Sequence, residues 1–321
     1  MDMLVRIIKD WETPNLLRQT PGGRGIWDGV TFTLDPVEEC DYVIVLNRIP
    51  ENTTVKCPPE NIWAIMQEPP VKEYDWLIKG YDSFHKVITS NESLKGEKYI
   101  FDSLALPWHV NKNYDELLTI GRLENNKIDR VSWITSNAKN RLGHQKRMEF
   151  LTDIKKKLDF DLFGRGFQPI EDKWDGISQY KYTLAVENSN ANYYWTEKIS
   201  DCFLSWTMPI YYGCNNIERY FPAESMVKID IGNPQEALQI IEEAIKTNAW
   251  EKNIEAIAYA RKLVLEKYQF FPFVSSLINQ QPINLEKKVN RLSALPYDYP
   301  RSFIDKLRRP LSTLKGFGRG K

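Results

Sequence analysis

Short apolar runs, each bounded by polar residues, dominate the first hundred residues of the chain. They are MLVRII near the N-terminus, DYVIVLN at 41–47, NIWAIM at 61–66 and HKVITS at 85–90. Continuous apolar character, in place of strict alternation, is typical of strands that are covered on both faces of a parallel sheet. Clusters of proline and glycine between the runs mark turns. This part of the chain therefore predicts an irregular α/β unit.

A more regular pattern follows the polar stretch 118–130. The strand-like runs RVSWITS, FDLFG, YTLAVEN, MPIYYG and MVKIDI alternate with helix-like segments at 141–158, 194–206, 234–246 and 250–267. Such alternation predicts a doubly wound parallel sheet with right-handed crossovers. In sheets of this kind, ligands bind at the carboxyl ends of the strands.

The length of 321 residues suits two domains better than one. We expect an α/β protein with an N-terminal domain over residues 1–126, a second domain over 127–295 and a tail over 296–321. Periplasmic binding proteins and several dehydrogenases share that outline, so the pattern alone does not identify a function. A dinucleotide-binding dehydrogenase is disfavoured because no G-x-G-x-x-G motif follows a strand near the start.

Charge is balanced over the whole chain but not along it. The formal net charge is zero, which argues against a nucleic-acid-binding protein, whereas residues 301–321 carry seven basic side chains and one acid. Apolar residues are interleaved with these cations, which is typical of a segment lying on an anionic membrane surface. The alternative is a helix that crosses back and packs on the first domain, and the sequence leaves both open.

The few cysteines and histidines argue against a disulfide framework and against zinc. None of the four cysteines forms a C-x-x-C pair, and the three histidines have no ligand-like spacing. The N-terminus MDMLVRIIKDWE lacks a signal-peptide core, and no run approaches the roughly 20 apolar residues of a membrane span. We therefore expect a cytoplasmic protein, with the tail as its only contact with a membrane.

The chemistry is concentrated between residues 180 and 222. A predicted strand ends at the polar trio Glu187-Asn188-Ser189, and a helix begins near Thr196 with Glu197 and Lys198 in its first turn. Threonine is a good cap and glutamate suits a helix N-terminus, but lysine there is opposed by the helix dipole. A bound anion such as phosphate would favour that lysine. An ordinary capped helix with a solvated lysine is the other interpretation of the pattern.

This stretch resembles the signature of glycosyltransferase family 10, the α1,3/4-fucosyltransferases. The matching motifs, in order and with spacing kept, are Tyr180-Lys181-Tyr182, Glu187-Asn188-Ser189, Tyr194-Trp195-Thr196-Glu197-Lys198, Pro209-Ile210-Tyr211-Tyr212-Gly213 and Phe221-Pro222. The chain departs from the family at Val186, where phenylalanine is common, and at Asn192-Tyr193, where an Asp often precedes the Tyr. The resemblance covers about forty residues.

The resemblance implies a GT-B architecture, with an acceptor-side N-terminal domain, a donor-binding second domain and GDP-β-L-fucose as donor substrate. Lys198 would pair with the donor diphosphate, Glu197 would accept hydrogen bonds from the ribose hydroxyls, and Tyr194 would lie beside the nucleotide or fucose. Glu187, Asn188 and Ser189 would belong to the donor pocket.

A second cation for the diphosphate is also implied, on the first helix of the donor domain. Arg147 fits the family's local helix pattern best, and Arg141 remains its rival. Two cations on the leaving group imply that no divalent metal or other cofactor is required.

The general base would come from the N-terminal domain. In the segment NIWAIMQEPP, Glu68 follows the apolar run and precedes two prolines, and the segment resembles the family's E-S-P motif although Pro69 replaces the serine. A carboxylate there would deprotonate the acceptor hydroxyl, and displacement from the opposite face would invert the anomeric configuration. The implied reaction is α1,3-type fucosylation of an N-acetylglucosamine-like glycan. The alternatives are transfer of another nucleotide sugar on the same fold and a non-catalytic glycan- or nucleotide-binding module.

Overall fold

The computed structural model describes residues 3–122, 127–281 and 286–298. Its core elements are two largely parallel sheets, each flanked by helical segments, and a two-stranded sheet that joins distant parts of the chain. The predicted α/β class is confirmed.

The first sheet has seven strands and is formed by the N-terminal part of the chain. The strands of this part are β1 (Met3–Lys9), β2 (Ile26–Trp27), β3 (Val30–Thr33), β4 (Tyr42–Leu46), β5 (Thr53–Cys57), β6 (Ile62–Ile65), β7 (Lys86–Thr89) and β8 (Tyr99–Phe101). All except β5 make up the sheet, in the order β2-β3-β1-β4-β6-β7-β8. The four apolar runs correspond to β1, β4, β6 and β7. Every residue of β4 and β6 is buried, which explains why their sequences do not alternate.

The second sheet has five strands, all parallel to their neighbours. They are β9 (Ile128–Ile134), β10 (Phe160–Phe163), β11 (Tyr180–Val186), β12 (Met208–Tyr212) and β13 (Val227–Lys228). Their order is β10-β9-β11-β12-β13, so the chain reverses its direction of travel across the sheet after β10. The carboxyl ends of β9 and β11 therefore lie side by side, where a ligand site is expected.

Helical segments cover both sheets. The α-helices are α1 (Tyr114–Thr119), α2 (Leu142–Ile154), α3 (Lys173–Ile177), α4 (Glu197–Leu204), α5 (Pro234–Lys246), α6 (Ala249–Lys252), α7 (Ile254–Leu263) and α8 (Phe270–Ile278). Short 3-10 segments span Leu16–Gln19, Pro21–Gly23, Pro59–Asn61, Ile217–Arg219 and Ala223–Ser225. A longer 3-10 segment covers Lys72–Ser83, and a π-helical turn covers Val264–Tyr268.

Three predicted elements are corrected by the structure. The segment 250–267 is not one helix, because Asn253 leaves helical geometry between α6 and α7 and the last turn widens to a π-helix. The helix predicted over 141–158 ends at Ile154. The MVKIDI run contributes only the two residues of β13. The first sheet also contains one antiparallel pair, β2 with β3.

The chain returns to the first sheet after the second one is complete. Phe270 and Phe271 of α8 are fully buried and pack edge-to-face against Phe32 of β3. Strand β14 (Lys288–Leu292) then pairs antiparallel with β5. Of the predicted tail 296–321, residues 299–321 lie outside the described residues. No helix in the described parts is long and apolar enough to cross a membrane.

Candidate functional site

A cavity of about 480 Å³ opens at the carboxyl ends of β9, β10 and β11. The first turns of α2 and α4 and the start of α3 complete its wall. Four of the seven donor-site residues predicted from the sequence line it together, namely Arg147, Asn188, Glu197 and Lys198. The parallel sheet therefore brings them together as its topology predicts.

Glu187 lies beneath this cavity at the end of β11 and is fully buried. Its carboxylate accepts hydrogen bonds from the backbone N and the Oγ1 of Thr196, both at 2.8 Å. Lys198 Nζ donates to Glu187 Oε2 at 3.1 Å and to Thr196 Oγ1 at 3.0 Å. Thr196 also caps α4, since its side chain accepts from the Lys198 N–H. The buried carboxylate thus fixes the start of α4 and the direction of Lys198.

The lysine in the first turn of α4 is explained in part by these carboxylates. Besides Glu187, Lys198 Nζ lies 3.6 Å from Glu197 Oε1. Burial would lower the pKa of Lys198, but Glu187 and Glu197 outweigh it and raise the pKa above its usual value. The ammonium is therefore charged at neutral pH, and it remains about one-fifth exposed towards the cavity.

Glu197 belongs to a second charged cluster at the floor of the cavity. Lys173 Nζ, at the start of α3, lies 3.2 Å from Glu197 Oε1 and 3.4 Å from Asp201 Oδ2. Burial would raise the pKa of Glu197, but Lys198 and Lys173 hold it well below its usual value. Asp201 also accepts the His109 backbone N–H at 2.8 Å. Glu197 is thus a fixed, ionised acceptor facing the cavity.

Arg147 reaches the cavity from the second turn of α2 and is 4% exposed. Its Nη1 donates to Asn188 Oδ1 at 2.6 Å, and its Nη2 lies 3.4 Å from both the carbonyl and hydroxyl oxygens of Ser136. Its Nε has no hydrogen-bond partner among the described residues. A buried guanidinium that keeps an unused donor beside a cavity is suited to bind an anion.

Glycine makes this arrangement possible at Gly143, in the first turn of α2. A Cβ added there would lie 1.8 Å from the carbonyl oxygen of Asn188, so α2 and the end of β11 touch through backbone alone. Because the two backbones lie so close, the Arg147 side chain can donate its hydrogen bond to Asn188.

Arg141, the rival of Arg147, lines the same cavity but also contacts the other side of the cleft. It caps α2 with extended backbone, and its Nη1 donates to the hydroxyl of Tyr74. Its guanidinium lies 5.2 Å from the centre of the Tyr74 ring. Both cations therefore lie at the cavity, with Arg147 inside the second unit and Arg141 bridging to the first.

Glu68 lies on the side of the first sheet, three residues after the end of β6 at Ile65. Together with Tyr74 it lines a small pocket next to the cleft. Burial raises the pKa of Glu68, while a hydrogen bond from Tyr74 and the charges of Arg141 and Lys198 act against that increase. The carboxylate is therefore within electrostatic reach of the donor-side cations.

Besides Glu187, which lies beneath the cavity, two of the predicted donor-site residues do not line it. Tyr194 is 4% exposed and packs with the apolar cluster of the first sheet, which includes Phe270 and Trp63. Ser189 is half-buried and is not part of the cavity wall. Tyr194 instead lies near Glu187 and Glu68. Burial raises the pKa of Tyr194 most, and the negative charges of these two carboxylates raise it further.

Sequence reasoning missed Lys173 and Asp201. One signal was available: Glu197 and Asp201 are four residues apart in one helix, so two carboxylates share a face. Such a pair requires a cation between them, and Lys173 supplies it from a separate element. The sequence held no indication of which lysine that would be.

The cavity is strongly cationic. Its described lining includes the side chains of Arg141, Arg147, Arg165, Lys173 and Lys198 but only one carboxylate, that of Glu197. His144 adds no charge at neutral pH, because burial and the neighbouring arginines lower its pKa to about 4. The described residues contain no cluster of His, Cys, Asp and Glu able to hold a metal ion. The site is therefore built for a polyanion of small size, such as a nucleoside diphosphate.

Comparison with known proteins agrees with this geometry. Residues 124–250 match the model of "Glycosyltransferase family 10 (fucosyltransferase) C-term". The chain is 25% identical over 196 residues to the 4-galactosyl-N-acetylglucosaminide 3-alpha-L-fucosyltransferase FUT6 of Homo sapiens, covering 59% of this chain and 51% of the relative. The chain thus spans about half the length of the curated relatives it matches first. The resemblance stated from the sequence is confirmed.

Two solved structures show the fold. An α1,3-fucosyltransferase crystal structure matches with a TM-score of 0.51 at 16% identity, covering 84% of this chain and 91% of the other. An α-glucosyltransferase in complex with UDP and a 13-mer DNA matches with a TM-score of 0.53 at 10% identity, covering 86% and 99%. The expected GT-B architecture is confirmed.

Proposed function

We propose that the chain is an inverting fucosyltransferase, because residues 124–250 match the C-terminal model of glycosyltransferase family 10. It moves L-fucose from GDP-β-L-fucose to a hydroxyl of a glycan, in an α1,3-type linkage on an N-acetylglucosamine-like acceptor. The acceptor class follows the name of its relative, a 4-galactosyl-N-acetylglucosaminide 3-alpha-L-fucosyltransferase.

The observation that carries this proposal is the convergence of Arg147 and Lys198 on one cavity at the carboxyl ends of parallel strands. A diphosphate bound there would accept hydrogen bonds from both cations, and Glu197, held ionised on the cavity floor, would accept hydrogen bonds from the ribose hydroxyls. Lys198 would exchange part of its contact with Glu187 for the phosphate oxygens. Cationic donors at the leaving group supply the stabilisation that a divalent metal provides in other transferases, so we propose a reaction independent of metal.

Glu68 is the proposed general base. The acceptor hydroxyl would give its proton to the Glu68 carboxylate while its oxygen attacks the anomeric carbon of fucose. The bond from that carbon to the phosphate oxygen breaks, and GDP leaves with the electron pair beside Arg147 and Lys198. Attack from the face opposite GDP converts the β-linked donor into an α-fucoside. Burial raises the pKa of Glu68, which makes its carboxylate a stronger base than an exposed one.

The test is a transfer assay with GDP-fucose and N-acetyllactosamine, with and without EDTA. We expect an α-linked fucosylated product, identified by the anomeric NMR coupling, at a rate that EDTA leaves unchanged. Glu68→Gln should abolish transfer while the affinity for GDP is kept. Loss of activity restored by a divalent metal, or a β-linked product, would contradict the scheme, and an active Glu68→Gln enzyme would remove Glu68 as the base.

Transfer of a different nucleotide sugar is the second candidate. It is favoured by the positions at which the sequence differs from the family motifs. Val186 and Asn192 differ in the donor domain, and Pro69 differs in the acceptor-side domain. A donor panel in the same assay separates the two: product from GDP-mannose or UDP-glucose, but not from GDP-fucose, would select it. Association of the basic tail with an anionic membrane remains a proposal that rests on the sequence of residues 301–321.

A further inference from the structure

Arg141 lines the donor cavity, and its side chain contacts Tyr74 on the opposite side of the cleft, where Glu68 lies. Its main chain begins α2 beside the donor cavity, while its guanidinium donates a hydrogen bond to Tyr74 and lies on that ring. Tyr74 belongs to the 3-10 segment that follows the prolines after Glu68, and it lines the pocket of Glu68. The three side chains form one connected path from the cavity to the carboxylate.

Hydrogen-bond directions along this path are set by chemistry. A guanidinium only donates, so the Tyr74 hydroxyl oxygen accepts from Arg141 and its own proton is directed elsewhere. The partner is Glu68, with which the Tyr74 hydroxyl shares a hydrogen bond that favours the ionised carboxylate. A hydroxyl that accepts from a cation is a better donor, because hydrogen bonds in a chain polarise one another.

We propose that Arg141 is a positioning residue that couples the occupancy of the donor cavity to the proton affinity of Glu68 through Tyr74. This inference rests on the proposed function of the cavity as a diphosphate site. In the empty cavity Arg141 faces Tyr74, and the path stabilises ionised Glu68. A diphosphate competes for the Arg141 guanidinium and neutralises part of the charge of Lys198. Glu68 then loses cationic stabilisation and becomes a stronger base only when the donor is bound.

The other charged groups around Glu68 do not reverse the expected increase in its proton affinity when a diphosphate binds. Asp10, beyond β1, faces it with a like charge, but Asp10 is paired with Arg48 at 2.8 Å. Lys198 acts from α4 and is itself at the donor cavity, so it adds to the coupling. Tyr194 packs near Glu68 as a neutral phenol, because burial and the surrounding carboxylates raise its pKa.

The coupling is measured as proton uptake on binding of GDP, which requires no turnover. Calorimetric titrations of the full chain in buffers of different ionisation enthalpy, from about pH 5 to pH 7, give the number of protons taken up. The terminal phosphate of GDP itself releases protons on binding in this pH range, so the signal is the difference between proteins. The wild type should take up more protons, or release fewer, than Glu68→Gln, since Glu68 gains proton affinity when GDP binds. Glu68→Gln should lose the part of the uptake that belongs to Glu68, with the affinity for GDP changed by less than about threefold.

Three variants separate the path from other sources of protons. Tyr74→Phe keeps the ring under Arg141 but removes the hydroxyl, so it should reduce the uptake while leaving GDP affinity unchanged. Arg141→Met should reduce both. His144→Gln is the control, because His144 faces the same cavity and gains proton affinity near an anion. Adding Glu68→Gln to this variant should still lower the proton uptake by the same amount as it does in the wild type.

If GDP does not bind at all, the donor assignment fails. If GDP binds and the uptake is the same in the wild type, in Glu68→Gln and in Tyr74→Phe, the donor site stands and the coupling through Arg141 is wrong.

Discussion

Lys198 is the residue on which the donor site depends most directly. It is charged, partly exposed to the cavity and held in place by Glu187 and Thr196. We expect Lys198→Ala to lower kcat/KM for the donor by an amount equivalent to about 2–4 kcal/mol, because a charge-assisted contact with the leaving phosphate is lost.

Steady-state kinetics check this expectation, with Lys181→Ala as the matched control. Lys181 lies at the other end of β11 and pairs with Glu251 and Asp129, away from the cavity. Because Lys198→Ala leaves Glu187 buried without its cation, thermal unfolding of both variants must accompany the kinetics. Folded Lys198→Ala protein with wild-type kinetics would contradict the assignment.

Glu197 gives a prediction for stability against pH. Its pKa is well below the usual value of 4.5 in the folded chain, so it contributes stability that is present above about pH 4.5 and is lost as the pH falls towards the folded pKa. The free energy of unfolding of the wild type should therefore drop more steeply below that pH than that of Glu197→Gln. Urea unfolding at a series of pH values measures both slopes, and parallel curves would show that the cluster with Lys173 is not formed.

At the scale of single residues, sequence reasoning located the carboxylates and cations of the donor side but not their pairing. The order of Glu187, Thr196, Glu197 and Lys198 along the chain is enough to place them at one strand end and one helix start. Their partners Lys173 and Asp201 depend on which elements lie next to α4, and that is decided by tertiary packing.

Among the secondary-structure elements, the contact between α2 and the end of β11 determines the shape of the cavity. Gly143 allows the two backbones to touch, and Gly143→Ala would place a methyl group 1.8 Å from the carbonyl oxygen of Asn188. We expect a loss of about 1–3 kcal/mol of unfolding free energy and weaker binding of GDP, since α2 must move and carry Arg147 with it.

Urea unfolding and calorimetry measure the two effects. Gly121→Ala serves as the control, because a Cβ at that position meets no atom within 4 Å. Wild-type stability and affinity in Gly143→Ala would show that this helix is free to shift without consequence for the site.

Strands were predicted better than helices, and the physical reason is visible in particular elements. The buried strands β4 and β6 are wholly apolar, so composition alone identifies them. Strand β14 reads KVNRL and is mostly exposed, and its pairing with β5 spans more than two hundred residues. Nothing local indicates such a strand. The break at Asn253 was missed for a similar reason, since the apolar period continues through it.

For the whole molecule, the main feature is the return of the chain from the second sheet to the first. Phe271 of α8 is fully buried against Phe32, although it follows every strand of the second sheet. We expect Phe271→Ala to destabilise the protein by about 3–5 kcal/mol through the cavity that it leaves.

Thermal and urea unfolding measure this loss, with Tyr259→Ala as the control because Tyr259 is 55% exposed. A Phe271→Ala protein as stable as the wild type would contradict the packing of α8 on the first sheet. The sequence analysis predicted no helix over residues 270–278 and assigned this segment to the second domain, because chain order gives no sign of which sheet a segment covers.

We propose that the cationic cavity beside Lys198 and Arg147 binds GDP and GDP-linked fucose. The most direct test is calorimetric titration of the purified chain with GDP, GDP-fucose, GDP-mannose and UDP-glucose, together with Lys198→Ala. We expect GDP and GDP-fucose to bind, Lys198→Ala to bind both more weakly, and UDP-glucose not to bind. Binding of UDP-glucose without GDP, or an affinity for GDP that is unchanged in Lys198→Ala, would rule out this cavity as a site for GDP-linked fucose.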